Sequence, residues 1–189
     1  MDALFTSTAV VTLAEIGDKT QLLAIVLATR FRAPVPIILG ILVATLANHF
    51  LAALVGAGVA NLLDGNWFRY LVAASFVAMG VWTLIPDKLD EVDDKPARFG
   101  AFVTTLVAFF LVEMGDKTQL ATVALGARFD NIFMVTAGTT IGMMLANVPA
   151  VFLGHELIER VPLNIVRIIA ALLFLMIGIW LAAQTAGWI

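Results

Sequence analysis

Polar residues are scarce along this chain, and their positions divide it into six apolar runs. These cover residues 3–29, 35–60, 67–85, 99–127, 132–153 and 162–185. About 20 mostly apolar residues carry an α-helix across a bilayer, so the pattern predicts six transmembrane helices. Arg30, Arg32 and Pro34 mark the first turn, and Pro86-Asp87 stops the third run. The one strongly charged stretch, residues 87–98, separates the first three runs from the last three.

Two of the runs carry the same polar insert. Residues 15–22 read Glu-Ile-Gly-Asp-Lys-Thr-Gln-Leu, and residues 113–120 read Glu-Met-Gly-Asp-Lys-Thr-Gln-Leu. A charge at the centre of a bilayer costs at least ~2.5–3.5 kcal/mol and marks a functional site by default. Other matches keep the spacing of 98 residues: Arg30-Phe31 with Arg128-Phe129, Gly40 with Gly138, Gly80 with Gly178, and Trp82 with Trp180. Leu46-Ala47-Asn48 aligns with Leu145-Ala146-Asn147 after a slip to 99. The matches run through three helices of each half, so they predict a duplicated three-helix unit. Three is odd, so the second copy enters from the opposite side. The expected fold is therefore an all-α integral membrane protein of two inverted-topology repeats. Residues 1–86 form the first repeat, 87–98 an acidic linker, and 99–189 the second repeat. In such architectures the substrate site lies near the midplane, where the repeats meet.

Composition supports the membrane reading. The 189 residues are 61% hydrophobic and 13% charged, where a soluble domain is about 25% charged. The net charge of −3 and the lack of a basic run argue against nucleic acid. With no cysteine, disulfides, thiolate metal sites and thiol catalysis are excluded. Asp2 stands where a signal peptide would be basic, so the first run is expected to remain in the mature protein. Short-loop lysines and arginines set the orientation. Arg30, Arg32, Lys88, Lys95, Arg98 and Arg160 lie in the odd connections, while the even ones hold Arg128, with Arg69 just inside the third run. The odd connections, including the central linker, are thus expected in the cytoplasm and both termini outside.

On an unbroken helix, Glu15 and Asp18 share a face, and Lys19 is placed to pair with Glu15. Thr8 and Thr12 extend that stripe, whereas Leu106 and Phe110 stand at the matched positions of the second copy. Gly17 and Gly115 allow close helix contact or local unwinding, and unwinding would undo the shared face. Together Glu15, Asp18, Glu113 and Asp116 put four carboxylates in a dry place. Some must be protonated, paired with Lys19 or Lys117, or bound to a cation. Oxygen donors, with no thiolate and no histidine near either motif, suit Mg²⁺, Ca²⁺ or Mn²⁺. The amides of Gln21, Asn48, Gln119 and Asn147 are candidate neutral ligands, although both asparagines fit interhelical hydrogen bonds equally well. Carboxylates that take either a metal or protons also link the two.

Other features have plainer readings. Lys19 and Lys117 are read as partners that tune the acids, and Trp82 and Trp180 as interface anchors. His155-Glu156 is read as interfacial. Gly-Asp-Lys-Thr is not a phosphate-binding loop, which needs adjacent Gly-Lys and an earlier glycine. No nucleophile–base pair points to an enzyme.

The doubled Glu-x-Gly-Asp-Lys-Thr, three helices apart in a chain of this length, resembles the Golgi and thylakoid manganese/calcium–proton exchanger family, whose bacterial members are manganese exporters. The likeness covers the whole chain. It implies proton-coupled efflux of Mn²⁺, with Ca²⁺ in some relatives, and maps the family's motif acids onto Glu15, Asp18, Glu113 and Asp116. The chain lacks the long N-terminal extension of organelle-targeted relatives, which implies a prokaryotic plasma membrane. The expected function is divalent cation/proton exchange by alternating access, with no cofactor; lipid and the cation are the expected partners, and a homo-oligomer is left open. Export of a small organic solute such as a basic amino acid, with the acids as counter-charges, is the rival within transport. A non-transporting helical scaffold is the rival outside it.

Overall fold

The computed structural model describes residues 2–63, 65–85, 100–129, 131–154 and 162–188. The central linker, His155, Glu156 and Arg160 lie outside the described residues. Every regular element among those described is helical. In chain order they are α1 (Asp2–Glu15), α2 (Lys19–Phe31), α3 (Pro34–Leu62), α4 (Asn66–Thr83), α5 (Ala101–Glu113), α6 (Lys117–Arg128), α7 (Ile132–Leu153) and α8 (Leu163–Thr185). The first and fourth apolar runs are therefore not continuous helices. Each is two half-length helices, broken inside the repeated motif.

Three helices are long and apolar enough to cross a membrane: α3, α7 and α8. α4 has 18 residues, roughly 27 Å at 1.5 Å per residue. Pro34 opens α3 from its first turn, where its missing N–H costs no helical bond. Arg32 ends α2 in the left-handed region at φ 50°, and its N–H is taken by the Ala28 carbonyl.

Polarity is distributed inside out. Leu51, Val55, Leu111, Ile168, Leu172 and Ile179 are exposed. Glu15, Asp18, Asn48, Glu113, Asp116 and Asn147 are buried. Hydrocarbon as the surrounding solvent explains the apolar exterior, and the cost of charge in lipid explains why the ionisable groups turn inward.

Small residues hold the helices together. α1 packs along α7, and α3 lies against both α5 and α6. A Cβ on Gly138 of α7 would stand 2.5 Å from the Leu4 carbonyl oxygen of α1. One on Gly40 of α3 would stand 2.8 Å from the Phe102 carbonyl oxygen of α5. Gly40 and Leu4 thus repeat as Gly138 and Phe102, 98 residues on, with the partners exchanged. α4 and α8 pair in the same reciprocal way. Gly80 lies against Ala171 and Leu175, and Gly178 against Ala73 and Val77. The matched rings of Phe76 and Phe174 meet at 6.3 Å. Close backbone approach through small residues is how helices gain contact in a medium as apolar as their own side chains.

Candidate cation site

The motif builds the same break twice. α1 ends at Glu15 and α2 starts at Lys19; α5 ends at Glu113 and α6 starts at Lys117. Gly17 has φ +81° and Gly115 φ +80°. This left-handed backbone costs an L-residue about 1–2 kcal/mol and glycine almost nothing. The glutamine four residues on closes each turn: Gly17 N–H donates to Gln21 Oε1 at 2.8 Å, and Gly115 N–H to Gln119 Oε1 at 2.6 Å. Asp18 and Asp116 then occupy the cap positions of α2 and α6 in extended conformation. There the positive end of a helix dipole favours a carboxylate.

The break overturns the expectation of one shared face. Glu15 and Asp18 belong to different helices, and the lysines reach across the molecule. Lys19 Nζ lies 3.1 Å from Asp116 Oδ1, and Lys117 Nζ lies 3.7 Å from Asp18 Oδ1. Thus the two motifs, 98 residues apart, share one buried centre. Among the described residues, no three acids or histidines converge closely enough to grip an ion between them. The lysines instead pair with the two aspartates.

The amides of all four residues make hydrogen bonds in this arrangement, and Asn147 keeps its Oδ1 buried with no partner among the described residues. Gln21 and Gln119 spend their carbonyl oxygens on the glycine N–H groups, and Gln21 Nε2 donates to the Ala146 carbonyl at 2.9 Å. Asn147 donates to Glu15 Oε1 at 3.2 Å and to its own helix at Met143 O, 3.1 Å. Asn48 does not repeat that contact. It donates to the Phe110 carbonyl at 3.1 Å, pinning the end of α5. Thr8 and Thr12 turn back onto the Leu4 and Thr8 carbonyls. Glu15 Oε2, Glu113 Oε2 and Asp116 Oδ2 are buried without a hydrogen-bond partner among the described residues.

One residue escaped sequence reasoning, and two others make contacts it did not foresee. His49 of α3 is fully buried, with Nε2 3.4 Å from Glu113 Oε1, so a histidine does stand beside the second motif. Thr118 donates to the same Glu113 oxygen. Trp82, expected at the membrane interface, places its ring 5.9 Å from Lys117 Nζ, a cation–π contact. The signal that could have found His49 is its place in the repeat. It follows Asn48, whereas Val148 follows the matched Asn147.

The fold and the site together define a helical membrane protein whose charged centre is assembled from two distant stretches of one chain. The family described as divalent cation/proton antiporter GDT1 matches residues 3–91 and 101–188. A Vibrio cholerae protein named "Putative manganese exporter" is 48% identical over 95% of this chain and 90% of its own length. A GDT1-like protein of Synechocystis is 28% identical over 89% of the chain and 91% of its own length. GDT1-like protein 5 of Arabidopsis thaliana is 28% identical over 92% of each chain. No solved structure gives a significant match. The chain belongs to the GDT1 family. It is accordingly a divalent cation transporter and not an enzyme, which leaves the organic-solute and scaffold readings without support.

Proposed function

We propose that this protein exports Mn²⁺ in exchange for protons by alternating access, through one site shared by two inverted three-helix repeats, residues 1–86 and 99–189. The observation that carries the reading is the reciprocal pair of ion pairs, Lys19 with Asp116 and Lys117 with Asp18. Each motif completes the other, as expected of a site on an axis between repeats.

The charge count suggests the exchange. Glu15, Asp18, Glu113 and Asp116 against Lys19 and Lys117 leave two negative charges when all are ionised. One divalent cation neutralises them, and so do two protons. The three unsatisfied carboxylate oxygens call for the same species. In the cycle, the cation displaces the ammonium groups from the aspartates and is held by the four acids. Protons return as it leaves. Asn147 orients Glu15, Asn48 fixes the end of α5, and Gln21 and Gln119 keep the turns open. Mn²⁺ as cargo is favoured by the name of the Vibrio cholerae relative, and Ca²⁺ shares the same oxygen chemistry. That relative also favours a bacterial inner membrane. The placement of lysine and arginine favours outward termini and a cytoplasmic linker.

Bacteria lacking their own manganese exporter provide the test. The wild-type chain is expected to restore growth at toxic Mn²⁺ and to lower cell-associated Mn²⁺. Asp18→Asn and Asp116→Asn are expected to do neither at equal membrane abundance. Near-normal export by both variants would overturn the reading.

A further inference from the structure

We infer that His49 is a nitrogen ligand to the transported ion, and that it biases the site toward first-row transition-metal dications over Ca²⁺ and Mg²⁺. The inference rests on the exchanger reading above and deepens it at one residue.

The two motif glutamates have different neighbours. Glu15 receives an amide N–H from Asn147, whereas Glu113 has the imidazole of His49 at 3.4 Å. The asymmetry lies in the side chains. Asn48 matches Asn147, but it bonds the Phe110 carbonyl, and the next residue on α3 takes its place beside the acid. In the other copy that next residue is Val148, which has no donor atom.

Burial at 0% exposure, on a helix that crosses the apolar layer, is a costly place for an imidazole. Its Nδ1 has no hydrogen-bond partner among the described residues, and its one polar contact is Glu113. The ring is directed at a carboxylate whose second oxygen is itself unsatisfied. Two ligands about 2.1 Å from a shared octahedral ion, at right angles, stand about 3.0 Å apart. The observed 3.4 Å is therefore a small rotamer adjustment from the edge of such a coordination shell.

The chemistry follows from the donor type. Carboxylates alone accept Mg²⁺, Ca²⁺ and Mn²⁺ with little distinction, and alkaline-earth ions prefer oxygen throughout. An imidazole nitrogen adds affinity for transition ions and little for Ca²⁺ or Mg²⁺. One nitrogen among oxygens is thus a selectivity device.

Purified full-length protein carries the test, using Mn²⁺ itself as the probe. Pulsed electron paramagnetic resonance of bound Mn²⁺ is expected to show imidazole ¹⁴N modulation in the wild type and in His155→Gln, but not in His49→Gln. In proteoliposomes, the ratio of Mn²⁺ to Ca²⁺ uptake should fall about tenfold in His49→Gln and His49→Val, a magnitude typical of losing one element of a metal site. Uptake of Ca²⁺ serves as the check that each variant is folded and active. Mn²⁺ transport without nitrogen modulation in the wild type, or an unchanged ratio in both folded variants, would overturn this inference and leave the exchanger reading standing. A wild type that moves no divalent cation would overturn both.

Discussion

Lys19 and Lys117 hold matched positions in the two motifs, yet the first is 27% exposed and the second 3%. Lys117 is hemmed in by Trp82 and the Ile85 carbonyl. Removing one member of a buried ion pair strands the other charge, at a cost of about 3–5 kcal/mol. A pair with a solvated member is worth less. Lys117→Met is therefore expected to destabilise the protein by about 3–5 kcal/mol, and Lys19→Met by clearly less. Unfolding by titration with dodecyl sulfate in mixed micelles measures both, and equal losses would contradict the difference in burial. The residue scale is also where the sequence was least readable. The pairing rule for residues four apart assumes a continuous helix, so it joined Lys19 to Glu15 and missed Asp116. His49 carries no spacing signal, because its partner lies 64 residues away on another helix.

Half-helices carry the acids and lysines of the site. The six apolar runs were legible because lipid demands long uninterrupted hydrophobicity, and helices do occupy them among the described residues. The breaks at Gly17 and Gly115 were legible only as one of two options. A glycine in an apolar run reads equally well as a packing position, and Gly40, Gly80, Gly138 and Gly178 are of that kind. What separates the two uses is the glutamine four residues on, which closes the turn on the glycine N–H. Packing glycines should respond to bulk according to their surroundings. Gly138→Val places carbon against the Leu4 carbonyl oxygen, on backbone that cannot step aside, whereas a Cβ on Gly58 of α3 meets nothing within 4 Å among the described residues. Gly138→Val is expected to lower the thermal midpoint in detergent sharply. Gly58→Ala is expected to raise stability by up to about 1 kcal/mol, the helix-propensity difference. A stable Gly138→Val would show that α1 and α7 are not held at this distance.

At the scale of the molecule, near-identical motifs sit in unequal surroundings. Gly17 is covered by Leu163 at the start of α8, while a Cβ on Gly115 would meet nothing within 4 Å among the described residues. The proposed exchange by inverted repeats would account for this: one conformation would give the two copies different environments, and the opposite conformation would trade them. The duplicated motif predicted a common centre, and the cross-paired lysines are how the chain forms one. The central claim is that the motifs make a single site rather than two, and uptake of Mn²⁺ into proteoliposomes under an imposed pH gradient tests it most directly. A shared site predicts that Asp18→Asn alone and Asp116→Asn alone each abolish pH-driven uptake. Retention of about half the wild-type rate in each variant would mean two independent sites, and would contradict the account.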